Sequence, residues 1–376
     1  MIHRIPFDRV NWTSSLFLTI TFFTAVIGTP IYFIKFGVDP FLIAMAVVYF
    51  ILTGMSITLG YHRLFAHRAF KAKAPVKLGT LIFGACAFED SALDWSSDHR
   101  QHHKHVDQEE DPYDISKGFF WAHMGWIFFK LYPRPLANVA DLKKDPLVMW
   151  QHRWHRQIGM LAGIVLPTLI GLFWSGPVGA LGGFLIAGVA RVVAVQHCTF
   201  LINSLCHTMG RRPYDSRTSA RDSFLMAIFT FGEGYHNYHH SFQHDYRNGV
   251  KVWQWDPTKW AIWIFSKLGL ASELRRVPDE KILLAELRET QRQAELKLAA
   301  LEASRATGAA ETAAWDAAWE KIQQMADQVG KNYADLEAAA TEGVRVSRKV
   351  LARWKAEATE YLENLTALDE LQPQPA

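Results

Sequence analysis

Residues 40–67 read PFLIAMAVVYFILTGMSITLGYHRLFAH, an apolar run that ends in two histidines, His62 and His67. A helix of about 20 consecutive apolar residues crosses the hydrocarbon core of a bilayer. The stretch therefore predicts a membrane-spanning helix that carries imidazole side chains to one membrane face. Further apolar runs and further histidine clusters alternate along the following 200 or so residues, so this pairing defines the fold.

Four apolar runs are long enough to span a bilayer, namely residues 12–34, 40–59, 157–174 and 177–201. Very short turns join the runs in pairs and predict two hairpins, each with both ends on one membrane face. Lys and Arg are concentrated outside these turns, which places both termini and the large central segment on the cytoplasmic side. The sequence thus predicts an all-α, multi-pass integral membrane protein. A shorter run, Val76–Phe88, suits an interfacial or re-entrant segment.

The overall composition excludes several classes of protein. A net charge of only +3 over 376 residues gives no reason to expect a nucleic-acid partner. The three cysteines form no CxxC pair, which argues against a disulfide framework, a structural zinc site and an iron–sulfur cluster. The sixteen histidines are the unusual feature, because most of them are clustered.

The composition changes near Asp279, where long apolar runs give way to EKILLAELRETQRQAELKLAALEASRA at residues 280–306. Apolar residues recur there at helical spacing, which predicts an amphipathic helical extension. We expect a domain at residues 1–278 and a C-terminal extension at 279–376. We expect Gly308 and Gly330 to break the extension into pieces, and the final QPQPA to be disordered.

Nine histidines fall at the cytoplasmic ends of the predicted hairpins. They are His62 and His67; His99, His102 and His103; His207; and His236, His239 and His240. In the HxxHH pattern, residues three and four apart share one face of a helix. Imidazole binds iron, copper, nickel and zinc, and nine imidazoles exceed the coordination sphere of one ion, so two metals are the economical interpretation. The absence of HExxH argues against a zinc peptidase.

These segments resemble the membrane fatty acyl desaturases, in particular the acyl-CoA (stearoyl-CoA-type, delta-9) desaturase family. The resemblance runs from about Thr29 to Leu270 and rests on five segments. They are GYHRLFAHRAF at 60–70, DHRQHHKHVD at 98–107, DPYDISKGFFWAHMGW at 111–126, NSLCH at 203–207 and GEGYHNYHH at 232–240.

The resemblance implies a fold and a site. The fold is four transmembrane helices beneath a cytosolic helical cap, with a kinked tunnel for the acyl chain between them. The nine histidines would bind two iron ions, and Asn203 would hold a water on one of them. Trp95 falls in the stretch expected to line the tunnel. No catalytic residue is expected beyond the metal site.

The implied activity is O2-dependent introduction of a cis double bond, at the delta-9 position, into a long-chain acyl group carried as acyl-CoA or acyl-lipid. Electrons must come from an external ferredoxin, rubredoxin or cytochrome b5 with a reductase, since the sequence has no haem, flavin or nucleotide motif. The expected location is a bacterial inner membrane. One alternative is a related di-iron hydroxylase or alkane monooxygenase. Another is a non-catalytic metal-binding or transport protein, for which Arg191, in the middle of the fourth run, is the main support.

Several neighbouring residues are candidates for supporting roles. Metal-bound histidines usually donate their second ring N–H to a partner, and Asp98 and Glu233 each lie beside a cluster. His105 and His244 also flank clusters, and His123 suits a packing or hydrogen-bonding role. Basic residues of the cytoplasmic segments could steer an acidic electron donor. Examples are Arg63, Arg68, Lys71, Lys73, Arg100 and Lys104.

Overall fold

A computed structural model describes residues 9–130, 136–306, 313–342 and 344–370. The chain forms two compact units, one of residues 1–211 and 218–276, the other of residues 212–217 and 277–376. The final QPQPA, which the sequence predicts to be disordered, lies outside the described residues, and so does His3 near the N-terminus. Within these described ranges, three helices are long and apolar enough to cross a membrane.

The first two of these helices are α1, Trp12–Phe36, and α2, Pro40–Ala66. The turn between them is as short as predicted, and the Asp39 carboxylate accepts from the N–H of Phe41 at 2.8 Å to cap the start of α2. The predicted end of this run at residue 59 was too early. From Ser56 to Ala66 the helix widens into a π-helix, which carries His62 inside the helix and not beyond it.

The α2 helix is followed by α3, Ala74–Ala85, and α4, Ala92–Lys104. The short α5 spans Phe119–His123. A two-residue ladder, which an all-α prediction misses, pairs β1 (Lys71–Ala72) with β2 (Ala271–Ser272) in antiparallel register. The core of this region packs around Tyr61, Leu81 and Leu93, all of which are fully buried.

The third long helix, α6, runs from Pro146 to Thr208 and contains the last two predicted spans. It begins eleven residues before the predicted run and ends seven after it, so Asn203 and His207 lie on the helix. The backbone breaks at Ser175 and Gly176, and Gly176 has a φ of +64°. A Cβ on Gly179 would lie 2.1 Å from the carbonyl oxygen of Gly171, so the two arms of α6 pack closely beyond the break.

Arg191 is buried on the second arm of α6, where it donates three hydrogen bonds to backbone carbonyls. Nε donates to Ala187 at 3.0 Å, Nη1 to Cys86 at 2.6 Å and Nη2 to Gly163 at 2.7 Å. The acceptors belong to both arms of α6 and to the residue that follows α3. A buried guanidinium with these partners joins three segments.

The first unit also contains three further α-helices: α7, Phe224–Phe229; α8, His236–Ser241; and α9, Pro257–Lys267. The second unit contains α10, Asp279–Ala306; α11, Ala313–Glu342; and α12, Arg348–Glu370. These three helices share a core in which Leu287, Ile322 and Leu365 are buried. The predicted break at Gly330 was wrong, because α11 continues through it. Core packing on that helix offsets the cost of about 1 kcal/mol for a mid-helix glycine. Gly308 lies outside the described residues.

Candidate metal centre

The nine predicted histidines converge in two adjoining groups. One contains His62, His67, His99, His103 and His239, and the other contains His102, His207, His236 and His240. Within each group, one nitrogen per ring lies within 4.8 Å of all the others, a spacing that can hold a metal ion. Residues separated by up to 178 positions in sequence thus meet at one place in the first unit.

The five-histidine group depends on the widened end of α2. The N–H of His67 donates to the carbonyl of His62, five residues earlier, at 3.0 Å, and the two rings lie 4.6 Å apart. On α4, His99 and His103 are four residues apart and therefore share a helix face. The fifth ring, His239, comes from α8 and places its Nε2 3.0 Å from that of His62 and 2.9 Å from that of His103.

The rings of the four-histidine group come from α4, from α8 and from the end of α6. His236 and His240 lie one turn apart on α8, and their Nε2 atoms are 3.1 Å apart. His207 from α6 approaches His236 at 3.1 Å, and His102 from α4 approaches His240 at 3.3 Å. Since α4 and α8 each supply rings to both groups, the two groups are structurally coupled.

The distances between ring nitrogens fit a cation better than hydrogen bonds. A metal–nitrogen bond of about 2.1 Å places adjacent ligand atoms of an octahedral ion about 3.0 Å apart. A neutral imidazole has one donor and one acceptor nitrogen. Nε2 of His239 therefore cannot form hydrogen bonds with the Nε2 atoms of both His62 and His103. Burial and the neighbouring rings lower the pKa of His99, His103 and His239 well below the usual value, which keeps them neutral and able to bind metal.

Acidic side chains support one ring in each group. Nδ1 of His62 lies 2.9 Å from Oε2 of Glu233, while Nη2 of Arg63 donates to the other oxygen at 2.8 Å. Burial opposes ionisation of Glu233, yet Arg63 and His62 hold its pKa below the ordinary value. In the other group, Nδ1 of His102 donates to Asp111 at 2.8 Å. These contacts leave Nε2 of each ring to face its group.

The sequence interpretation missed Asp111. It stands nine residues after His102, at the start of the DPYD motif, and only the turns of residues 105–111 return it to the ring. The other acidic candidate, Asp98, is buried on α4 beside His99, and its supporting role stays a prediction.

The two remaining site candidates lie next to the histidine groups. Asn203 is half-buried on α6. It lies one helical turn before His207, so the two residues share one helix face. Trp95 stacks on the His99 ring, with centroids 4.7 Å apart and an interplanar angle of 22°. The rings of His62 and Tyr61 also lie near Trp95, with centroids at 6.1 and 6.2 Å.

Among the described histidines outside the two groups, His244 and His123 form hydrogen bonds. His244 donates from Nδ1 to the carbonyl of His67 at 2.9 Å, so it supports the backbone of the five-histidine group. His105 lies 3.8 Å from the exposed Glu110. His123 donates to the Ser204 hydroxyl at 3.0 Å, and its other nitrogen meets His197 at 2.9 Å. His123 thus has the hydrogen-bonding role that we expected.

A buried carboxyl group near Trp95 was not anticipated. Burial raises the pKa of Glu89 to about 8, although Thr199 and Trp95 partly offset the effect. Its two chain neighbours, Phe88 and Asp90, both have positive φ values, of 56° and 64°. Burial of the Glu89 carboxyl thus favours its protonated form.

Helices of membrane-spanning length and two adjoining groups of converging imidazoles define a helical protein of the membrane type with a site suited to two metal ions. The family model for fatty acid desaturases matches residues 40–263, and the chain belongs to the fatty acid desaturase family.

Three curated relatives illustrate this membership. Over 240 residues the chain is 46% identical to a probable acyl-CoA desaturase of Schizosaccharomyces pombe, covering 63% of this chain and 50% of the relative. It is 42% identical over 257 residues to acyl-CoA desaturase 1 of Saccharomyces cerevisiae, covering 68% and 50%. It is 35% identical over 243 residues to the stearoyl-CoA desaturase of Sus scrofa, covering 63% and 67%. The chain thus spans about half the length of the two fungal relatives.

Proposed function

We propose that this protein is an O2-dependent acyl-CoA desaturase that introduces a cis double bond at the delta-9 position of a long-chain acyl group. The observation that carries the proposal is the convergence of nine imidazoles, in groups of five and four, within the region that matches the desaturase family. The names of the relatives support acyl-CoA as the substrate.

In this proposal each histidine group holds one iron ion. His62, His67, His99, His103 and His239 bind one ion, and His102, His207, His236 and His240 bind the other, with Asn203 holding a water on the second. The histidine-only donor set suits iron, and burial lowers the pKa of His240 well below its usual value, which favours the neutral ring that binds metal. When bound, the two iron ions would supply the oxidising chemistry: two hydrogens from adjacent methylenes, two external electrons and two protons would reduce O2 to two water molecules and leave the double bond. Glu233 and Asp111 orient His62 and His102 through their second nitrogens.

The protein itself positions the acyl chain and excludes water from the metal site. We assign the acyl chain to a tunnel that passes Trp95, whose indole stacks on His99 and contacts Tyr61. A rigid aromatic wall of this kind restricts which methylene pair faces the metals. Apolar surroundings also exclude water from a strongly oxidising site.

The proposed topology has four transmembrane helices in two hairpins, formed by α1 with α2 and by the two arms of α6, beneath a cytosolic helical cap. The break at Ser175 and Gly176 supports counting α6 as two spans. The positive-inside rule places the cap and both termini in the cytoplasm, and we propose a bacterial inner membrane as the location.

The partners are O2, membrane lipid and an external electron donor of the ferredoxin, rubredoxin or cytochrome b5 type with its reductase. The donor must reach the cytoplasmic face near the histidine groups. The residues available to steer it are fewer than the sequence suggested. Arg63 is buried against Glu233 and Asp256, and Arg100 is bound by Asp141. Arg68, Lys71, Lys73 and Lys104 are exposed.

Neither alternative, a non-catalytic transport protein or a di-iron hydroxylase, is favoured over a desaturase. A transport path needs an ionisable group available to a substrate, but Arg191 is buried and bonded to three backbone carbonyls. The relatives are named as desaturases, which favours hydrogen removal over the oxygen insertion of a hydroxylase or alkane monooxygenase.

The test is lipid profiling of a desaturase-deficient bacterial host that expresses the full chain with a donor and a reductase. The expected result is a new cis-delta-9 monounsaturated species. The matched control expresses the His240→Ala variant at the same level and should produce none. Hydroxylated lipid in place of the alkene would replace the proposal by the hydroxylase alternative.

A further inference from the structure

We propose that Asp107 and Ser219 form a positioning pair that fixes the tautomer and orientation of His207. The inference rests on the proposed function, since its importance depends on a metal ion in the four-histidine group. It concerns two residues that lie outside the histidine clusters and that the sequence interpretation did not single out.

The hydrogen bonds in this pair have only one possible direction. The Ser219 hydroxyl lies 2.5 Å from Oδ1 of Asp107, and the Ser219 N–H donates to Oδ2 at 2.7 Å. An ionised carboxylate only accepts, so the Ser219 O–H donates to Asp107. That leaves the hydroxyl oxygen to accept from Nδ1 of His207, which lies 2.6 Å away.

The direction determines which nitrogen of His207 carries the proton. Nδ1 must be protonated in order to donate to Ser219. Nε2 of the neutral ring then holds the lone pair, and it points toward Nε2 of His236 at 3.1 Å, inside the four-histidine group. The pair therefore keeps His207 in the only neutral form that can bind a metal through Nε2.

The same turn supports a second ring of this group. Asp107 has a φ of 60°, a left-handed conformation that Asp tolerates better than most residues, and its N–H donates to Oδ2 of Asp111 at 3.1 Å. Asp111 in turn accepts from His102. Two acids four residues apart thus orient two of the four rings. By contrast, Nδ1 of the buried His236 has no hydrogen-bond partner among the described residues.

The test measures the release of iron from the full-length, detergent-solubilised protein into a chelator of ferrous iron. The wild-type chain should release two ions. Ser219→Ala removes the acceptor of His207 and should release one ion about 10–100-fold faster, with the other unchanged, as for loss of a partner that orients a ligand. Ser219→Thr keeps the hydroxyl and should restore wild-type release.

Ser241→Ala is the matched control. Ser241 lies beside His240 on α8, but its hydroxyl donates to the carbonyl of Asn237 at 2.8 Å, so this variant should release iron as the wild type does. If Ser219→Ala does not fold, Asp107→Asn decides the question, because it weakens the acceptor for Ser219 and should accelerate release of the same single ion.

The remaining outcomes overturn the inference. Unchanged release from Ser219→Ala would show that His207 needs no partner. Equal acceleration of both ions, or acceleration in Ser219→Thr as well, would indicate a general loss of packing. A wild-type chain that binds no iron would refute the proposed function itself. The other three results would refute only the role of Asp107 and Ser219.

Discussion

The N–H of His67 donates to the carbonyl of His62 across five residues, at 3.0 Å. In a regular α-helix of about 3.6 residues per turn, side chains five positions apart point about 140° away from each other. The wider π-helical turn brings the two imidazoles onto one side, where they join the same histidine group. Such turns are rare and occur frequently at functional sites.

The packing of this widened turn against α3 can be tested at Gly60. A Cβ there would lie 2.5 Å from Cβ of Thr80, whereas a Cβ on Gly79 would meet nothing within 4 Å. We expect Gly60→Ala to destabilise the protein by about 1–3 kcal/mol, as overpacked cores are, and to lower its iron content. Gly79→Ala should raise the melting temperature slightly, since alanine is the better helix former. Equal melting temperatures for the two variants would contradict this account.

The histidine groups predict a contrast between ligand and non-ligand histidines. His103→Ala and His240→Ala each remove one ring from a different group, so each should abolish desaturation and lower iron below two ions per chain. His155→Ala should keep both properties, because the Nδ1 of His155 donates only to the carbonyl of His152. Elemental analysis and product analysis of membranes give the two measurements. Stoichiometric zinc without iron in the wild type would refute the redox mechanism.

Substitutions of Glu233 should affect stability and iron affinity to different degrees. Its carboxylate lies against His62, Arg63 and Asn248. Glu233→Ala leaves the buried guanidinium of Arg63 with Asp256 as its remaining carboxylate partner, and losing one member of a buried ion pair costs about 3–5 kcal/mol. Glu233→Gln keeps the shape and should fold, with iron affinity reduced about 10–100-fold. Thermal unfolding and iron titration separate the two effects, and wild-type affinity in the Gln variant would remove Glu233 from the proposed site.

The C-terminal helices should be dispensable for chemistry. All nine histidines lie before residue 241, and the helices after Asp279 have their own core. A chain truncated after Pro278 should therefore retain turnover with NADPH, a reductase and a carrier. It should melt at a lower temperature, because residues 212–217 belong to the same unit and Ser216 loses its contact with Arg292. A folded but inactive truncation would assign these helices a role in catalysis.

Charge on the exposed face should control the supply of electrons. Lys104→Glu should raise the KM for an acidic donor at low ionic strength and leave kcat unchanged, because steering acts on encounter. The effect should shrink near 0.15 M salt, where the screening length is about 8 Å. Lys35→Glu, in the opposite turn of the first hairpin, is the control and should change nothing. Turnover without any carrier protein would refute the need for a donor.

Local patterns in the sequence predicted much of this structure. The apolar runs predicted α1, α2 and most of α6, and the HxxHH spacing predicted that the clustered histidines share one face wherever they lie on a helix. Helix positions and the spacing of histidines within a cluster depend on periodicity within one element, which a sequence displays directly.

The contacts between side chains of distant segments cannot be predicted in this way, because they depend on how those segments meet. The partners of His102 and His207 were missed because Asp111 and Ser219 reach the rings only through irregular turns. The widened turn at Ser56–Ala66 was missed because the pattern of its residues fits an ordinary helix equally well, and its close approach to Thr80 on α3 is visible only in the fold. The extension was predicted to be helical, but its shared core, with Trp354 and Tyr361 buried, depends on three faces matching at once.

Arg191 also constrains how the chain enters a membrane. An arginine at the middle of an inserting helix costs about 2.5–3.5 kcal/mol on the scale of the insertion machinery. Its compensating carbonyls belong to Ala187 on the same arm, to Gly163 on the other arm and to Cys86 after α3. If the two arms of α6 are separate spans, as proposed, the second arm should insert poorly by itself. We then expect it to enter the membrane together with the first arm, as a hairpin that packs against the earlier segment containing Cys86.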